Sequence, residues 1–320
     1  MKRCLLAAFV AALAGAAPAV SAGPDTPPLH EIRFVSEHGT VNTNALLYAE
    51  GAELEVRATP HREPSQWRSW RFSHWTGDVT REQRRQRTLA FTVAGPRTIR
   101  AVYRPEVLCT MLDLGSGLVV SAEIFFLTLL FALPIGLVIA FGRMSKWTPL
   151  RQCARIYISV MRGTPLMLQL FFFYFGPYYM FGVRSGENYR FVACIVAFSL
   201  NYAAYFAEIY RAGIESIPVG QHEAAKMLGF TRGQTFFRII LPQVVKRILP
   251  PVTNEVITLV KDTSLAFTLS VMEMFTVAKM AASANTTMVP FIVAGVFYYV
   301  FNWLVASGME RIEKKLSYYR

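Results

Sequence analysis

The sequence predicts a predominantly α-helical membrane protein with five transmembrane helices, preceded by a small β-rich exported domain. Three observations carry that prediction. After residue 106 come five apolar stretches, each long enough to cross roughly 30 Å of hydrocarbon at about 1.5 Å per residue. Basic residues crowd into alternate connections between those stretches. Before residue 106, short segments alternate between apolar and polar positions at the period of a strand. Of the 320 residues, 53% are hydrophobic and 17% charged, a balance too apolar for an ordinary soluble enzyme and far from that of a disordered chain.

Residues 1–22 open with Lys2 and Arg3, continue through an apolar run from Leu5 to Leu13, and end in the small-residue sequence AAPAVSA. That is the order of a secretory signal peptide or, uncleaved, of a first anchor. Either way it exports residues 23–105. That segment alternates in EIRFV (31–35), ELEVRA (53–58), TLAFTV (88–93) and TIRAVY (98–103), with turn signals between them at Gly39, Gly51, Gly77 and Gly95-Pro96. His30, His38, His61 and His74 lack ligand spacing and read as surface or packing residues. Trp67, Trp70 and Trp75 read as core and turn packing. Cys4, Cys109, Cys153 and Cys194 show no C-x-x-C spacing, so neither a disulfide framework nor a zinc site is expected.

The five spans are expected near 118–141, 156–181, 191–210, 250–272 and 287–307. Fourteen Lys and Arg lie in the connection after the first span, in that after the third, and in the C-terminal tail, whereas the opposite loops hold Arg184, Arg190 and Lys279 alone. By the positive-inside rule the C-terminus is cytoplasmic and residue 106 lies outside, the side to which the leader sends residues 23–105. The formal net charge of +12 is therefore explained by topology, and no nucleic-acid partner is needed.

The long cytoplasmic connection, residues 218–242, reads as two short helices. One begins after Pro218 and carries Glu223, Ala224, Ala225 and Leu228 up to a break at Gly229; the other runs from about Gly233 through Ile239 to Leu241 and stops near Pro242. The adjacent alanines remove bulk so that another protein can approach the helix, and Met227, Leu228 and Phe230 offer an apolar plug. Within the spans, polar groups are costly and mark a cavity or a partner helix. At about 100° per residue, Asn254, Glu255, Thr258, Lys261 and Asp262 share one arc of the fourth span, with Lys261 near mid-membrane if the helix is regular. Asn201, Tyr205 and Glu208 share a face of the third. Both groups are candidates for a substrate pathway or for helix packing. Glu123 sits in the first span, and Arg162 is read as snorkelling to the headgroups.

The spacing of Glu223, Ala224, Ala225, Gly229, Ile239, Leu241 and Pro242 resembles that of the permease subunits of bacterial ABC importers. The resemblance implies that residues 106–320 are an ABC permease transmembrane domain whose loop is a coupling helix, seated in a cleft of a cytoplasmic ATPase. RGTPL (162–166), NYAAYFAEIYRAGI (201–214) and LVKDTSL (259–265) look like the polar amino acid subfamily, which imports histidine, arginine, glutamine or glutamate. Residues 23–105 resemble the β-repeat modules of bacterial surface proteins such as internalins, an N-terminal addition that departs from the usual permease pattern. The partners implied are ABC ATPase subunits that bind ATP and Mg, a second permease in a homodimer or heterodimer, a solute-binding protein, an amino acid substrate and the bacterial inner membrane. No G-x-x-x-x-G-K-[ST] occurs in the chain, so no cofactor is expected on it, and no nucleophile or metal motif supports an enzyme. Two other readings stand beside this one: an importer for an opine, osmolyte or small peptide, and a membrane-anchored ligand-binding or signalling protein.

Overall fold

The computed structural model describes residues 27–43, 46–61, 69–182, 186 and 188–316. The expected leader at residues 1–22, and Trp67, lie outside the described residues. The chain divides into two compact units that meet in sequence between Arg104 and Pro105.

In the first unit the alternating segments are strands β1 (Leu29–Ser36), β4 (Glu53–Pro60), β6 (Thr88–Thr92) and β7 (Arg97–Pro105), joined by β2 (Gly39–Val41), β3 (Leu47–Ala49) and β5 (Trp70–Gly77). They form a four-stranded sheet in the order β3-β1-β7-β5 and a three-stranded sheet in the order β2-β4-β6. β1 and β7 are parallel, with Ile32 opposite Arg97; this pairing joins the two ends of the unit. Period-2 alternation puts Val56 and Ala58 of β4, and Ile99, Ala101 and Tyr103 of β7, into one core with Leu89 and Trp75. Trp75 is wholly buried and its indole N–H donates to the Gln86 carbonyl at 2.9 Å, while Trp70 stacks on His38 at 3.6 Å. Both are packing residues. Gly77 turns the chain at φ +95°, where a Cβ would lie 2.1 Å from the Thr98 carbonyl oxygen.

The second unit is helical: α1 (Glu106–Met144), α2 (Thr148–Gly163), α3 (Leu166–Phe181), α4 (Tyr189–Glu215), α5 (Val219–Met227), α6 (Arg232–Thr235), α7 (Leu241–Asp262), α8 (Met274–Asn285) and α9 (Val289–Leu316). Its main seam joins α1 to α4 through small residues: Gly136 and Ala140 on α1 meet Ala203, Ala204 and Ala207 on α4. A Cβ at Gly136 would lie 2.9 Å from the Phe206 Cβ and 3.0 Å from the Ala203 carbonyl oxygen. Such residues let two backbones approach closely, which is how helices associate where lipid removes the usual hydrophobic drive.

Two expected spans are not single helices. The stretch 156–181 breaks between α2 and α3 with a bend of 111°, because Pro165 forces Thr164 into extended backbone (φ −117°, ψ 147°). The Gln169 side-chain amide donates to the Met161 carbonyl at 2.9 Å and to the Thr164 carbonyl at 3.2 Å, and the Asn201 amide donates to Met161 at 3.1 Å. Side chains thereby satisfy carbonyls that the helix has abandoned.

The stretch 250–272 differs as well. α7 ends at Asp262, a 3₁₀ segment covers Thr263–Leu269, Ser270 takes φ +55°, and α8 leaves at 56°. Lys261 therefore stands one residue before the end of the α-helix. Glu273, fully buried, caps α8: its carboxylate accepts from the Phe275 N–H at 2.7 Å, the Thr276 N–H at 2.6 Å and the Tyr298 hydroxyl at 3.1 Å. Among the described residues three helices, α1, α4 and α9, are each long and apolar enough to cross a membrane; counting each bent pair as one span brings the number to as many as five.

This packing predicts two losses of stability, both checked by thermal unfolding in detergent. Gly136→Leu overpacks the α1 and α4 seam and lowers stability by about 1–3 kcal/mol. Glu273→Ala leaves buried donors without an acceptor and costs about 1–3 kcal/mol for each one stranded, whereas Glu273→Gln, which keeps one carbonyl oxygen, loses less.

Candidate functional site: an exposed hairpin and a charged cleft

The connection between α4 and α7 begins at Pro218, which precedes α5 and has no N–H to leave unsatisfied at the helix start. α5 ends in a Schellman motif: the Gly229 N–H donates to the Lys226 carbonyl and the Phe230 N–H to the Ala225 carbonyl, both at 3.1 Å. The motif requires a left-handed residue, and Gly229 has φ +75°. Two residues on, Thr231 and Gln234 form a capping box, with the Thr231 N–H donating to Gln234 Oε1 at 2.9 Å and the Gln234 N–H to Thr231 Oγ1 at 3.3 Å. Glycine break and second helix stand where the sequence puts them.

The second helix does not stop at Pro242. α6 passes through a π-turn, Phe236–Ile240, in which the Leu241 N–H reaches back to the Phe236 carbonyl, and continues directly as α7 with Pro242 in its first turn. The π-turn lengthens the ladder where proline would otherwise clash with the carbonyl four residues earlier. Ile240 and Val244 then pack with Ile217 at the base of the hairpin, with Ile239 beside them, and the Arg247 guanidinium bonds the Ser216 carbonyl. At Gly213 a Cβ would collide with Ile248, so α4 and α7 are held tightly where the hairpin leaves them.

The two alanines do not share a patch. Ala225 is 1% exposed and faces its own chain, while Ala224 and Glu223 are exposed, as the 100° step between neighbours on a helix requires. At the tip, Met227 is 88% and Leu228 74% exposed. Val219, at 70%, and Phe237, at 67%, add to the apolar surface that the hairpin exposes.

The polar residues of the spans divide into three groups. Tyr205, Glu208 and Glu255 line one cleft of about 430 Å³, together with Arg162 and Arg247. Arg162 is exposed, and its guanidinium lies 5.2 Å from the centre of the Tyr205 ring. Glu208 is paired with Arg211, which also holds Glu215. Asn201 stays out of the cleft; it is buried, and its amide also donates to Gln169 Oε1 at 2.9 Å, so it is committed to the α2 and α3 break. Asp262 accepts from the Tyr202 hydroxyl at 2.7 Å, and Asn254, Thr258 and Lys261 are exposed on α7. With Glu208 held by Arg211 and Arg247 bonded to Ser216, the cleft is left with Glu255 and Arg162, an acid and a base that suit a zwitterion more than an ion of one sign.

Comparison with known proteins identifies the scaffold. The family model for the binding-protein-dependent transport system inner membrane component matches residues 132–318. The chain belongs to this family. It is a multi-pass inner-membrane permease, a transporter component and not an enzyme. The chain is 38% identical over 208 residues to the L-cystine transport system permease protein TcyB of Bacillus subtilis (strain 168), covering 64% of this chain and 87% of that one. To the octopine transport system permease protein OccM of Rhizobium radiobacter it is 38% identical over 214 residues, covering 64% and 86%. The crystal structure of an amino acid ABC transporter with histidines superposes with a TM-score of 0.59 at 32% identity, covering 63% of this chain and 94% of that chain. The divergent InlB B-repeat domain model matches residues 31–106, so the added β unit has relatives of its own.

Glu273 escaped the sequence reading although the signal was present: a lone carboxylate in the apolar run SVMEMFTV is costly in a membrane unless it is bonded. The expected span ended one residue short of it. For this permease, Gly229→Val forces a branched residue into left-handed backbone at a cost of about 1–2 kcal/mol, and the expected outcome is faster proteolysis or hydrogen exchange confined to residues 218–242.

Proposed function

We propose that this permease imports polar amino acids, crossing the inner membrane five times with residues 23–105 outside and the C-terminus in the cytoplasm. Residues 1–22 are then the signal peptide or an uncleaved anchor, and residues 106–320 the transport domain. A solute-binding protein delivers substrate outside, and a second permease, identical or homologous, supplies the other wall of the path. Residues 218–242 seat in an ATPase, which binds ATP and Mg. The distribution of basic residues supports this orientation, and the L-cystine relative supports the substrate class.

The observation that carries the reading is the exposed apolar tip, Met227 and Leu228, on a hairpin built by a Schellman motif, a capping box and a helix running on into α7. A tip tied to α7 converts movement of a bound motor into movement of the polar α7 residues. Glu223, Ala224 and Leu228 face the motor; Ala225, Gly229, Ile239, Leu241 and Pro242 shape the hairpin. Tyr205, Glu208 and Glu255 belong to the pathway, with Arg162 beside them. Asn254, Thr258 and Lys261 form its exposed stripe on α7, Asp262 closes the stripe through Tyr202, and Asn201 acts on the pathway through the helix break. Glu255 attracts the substrate ammonium and the Arg162 guanidinium its carboxylate. An opine, itself an amino acid derivative, is the second reading, and the octopine relative favours it.

Leu228→Asp puts a charge on the docking tip. The expected result is at least a tenfold loss of ATPase co-purifying with the permease while the permease itself reaches the membrane in normal amount; undiminished ATPase recovery refutes the docking role. Lys261→Ala and Asp262→Ala are expected to assemble normally and to lose most accumulation of labelled amino acids, and full transport by either removes that residue from the pathway.

A further inference from the structure

A second cavity, of about 340 Å³, lies apart from the charged cleft and is lined by Glu123 of α1, Asn188 and Arg190 at the start of α4, and Ser270 with Val271 at the break before α8. Glu123 is five residues inside the apolar stretch that begins at 118, about 7 Å along the helix, and Arg190 is the second residue of α4. In the orientation proposed above, on which this inference rests, both stand at the outer side of the membrane.

Both side chains are exposed to the cavity, and neither is taken up by an ion pair among the described residues. Asn188 makes no side-chain bond to the first turn of α4. An ionisable residue in a membrane span is costly and calls for a partner. Here an acid and a base from different helices line one space, with Val120, Phe191, Val271 and Met272 supplying its apolar lining. The volume is at the low end of the about 300–1,000 Å³ usual for ligand pockets, which limits the occupant to a small molecule or a headgroup.

The geometry points to an outer subsite for a small zwitterion: Glu123 receives a primary ammonium, and Arg190 with Asn188 receives an oxyanion a short distance away. Two sources offer that chemistry, a free amino acid on its way into the permease and the ethanolamine phosphate headgroup of a membrane phospholipid. The subsite is distinct from the Glu208 and Glu255 cleft, with which it shares no lining residue.

The test uses the full chain with its ATPase and binding-protein partners in proteoliposomes, made of phosphatidylcholine and phosphatidylglycerol with or without phosphatidylethanolamine. Uptake of labelled L-arginine, L-glutamine and L-cystine is measured for wild type, Glu123→Gln and Arg190→Gln, and lipid retained by each purified protein is read by native mass spectrometry. At least a tenfold rise in half-saturating concentration for both variants in both membranes, with assembly unchanged, identifies the amino acid as occupant. A rise confined to membranes containing phosphatidylethanolamine, with that lipid lost from the variants, identifies the headgroup. Wild-type half-saturation and wild-type lipid retention in both variants overturn the subsite. Should the glutamine variants fail to assemble, Glu123→Asp and Arg190→Lys, which keep the charges but shorten or reshape them, carry the same measurements. If wild type accumulates none of the three amino acids, the import reading fails, and lipid retention alone decides the subsite.

Discussion

Every backbone polar group within a bilayer must find its partner inside the protein, and the two helix breaks of this permease are built around that requirement. At Thr164 and Pro165 the chain turns through 111°, and amides from Gln169 and Asn201 take the carbonyls that the break exposes. At Ser270 the carboxylate of Glu273 takes the first N–H groups of α8 and the hydroxyl of Tyr298 on α9. Those side chains give the interrupted helices the partners that their own backbones no longer supply. The second break also supplies one side of the smaller cavity, since Ser270 and Val271 belong to it.

The rest of the helical unit is tied together by close helix packing. Small residues bring α1 against α4, while Gly213 and the Ile217 cluster lock α4 to α7 at the base of the hairpin. α6, the π-turn and α7 form one uninterrupted helical run. The hairpin is therefore coupled to the polar residues of α7 and to the cleft through packed helix, with no flexible linker in the run between Arg232 and Asp262.

Sequence reasoning was strongest where chemistry is local. Glycine at 229 carries its own backbone geometry, so the break between the two hairpin helices was legible, whereas the capping box of Thr231 and Gln234 went unread and the run past Pro242 was missed. Strands β1, β4, β6 and β7 were legible from their alternation; β2 and β3 are three residues each, too short for a period to show, and β5 keeps most of its positions half-buried and so lacks the contrast. Continuous spans were expected where the structure breaks them, since apolarity alone measures length and not direction. Proline misled in both senses: Pro165 breaks a run read as one span, whereas Pro242 sits inside a run read as ending there.

By itself the sequence determined the two-part organisation, the apolar stretches and their charge asymmetry, and the hairpin with its exposed tip, all consequences of composition and of interactions within a few residues. Only the tertiary structure decided which polar residues meet. It took Asn201 from the face it shares with Tyr205 and Glu208 and gave it to a helix break, brought Arg162 over Tyr205, and set Glu123 and Arg190 around one cavity. Helical periodicity places side chains on a face of one helix, but the partner of that face is set by how helices far apart in the chain bend and pack, which no local pattern records.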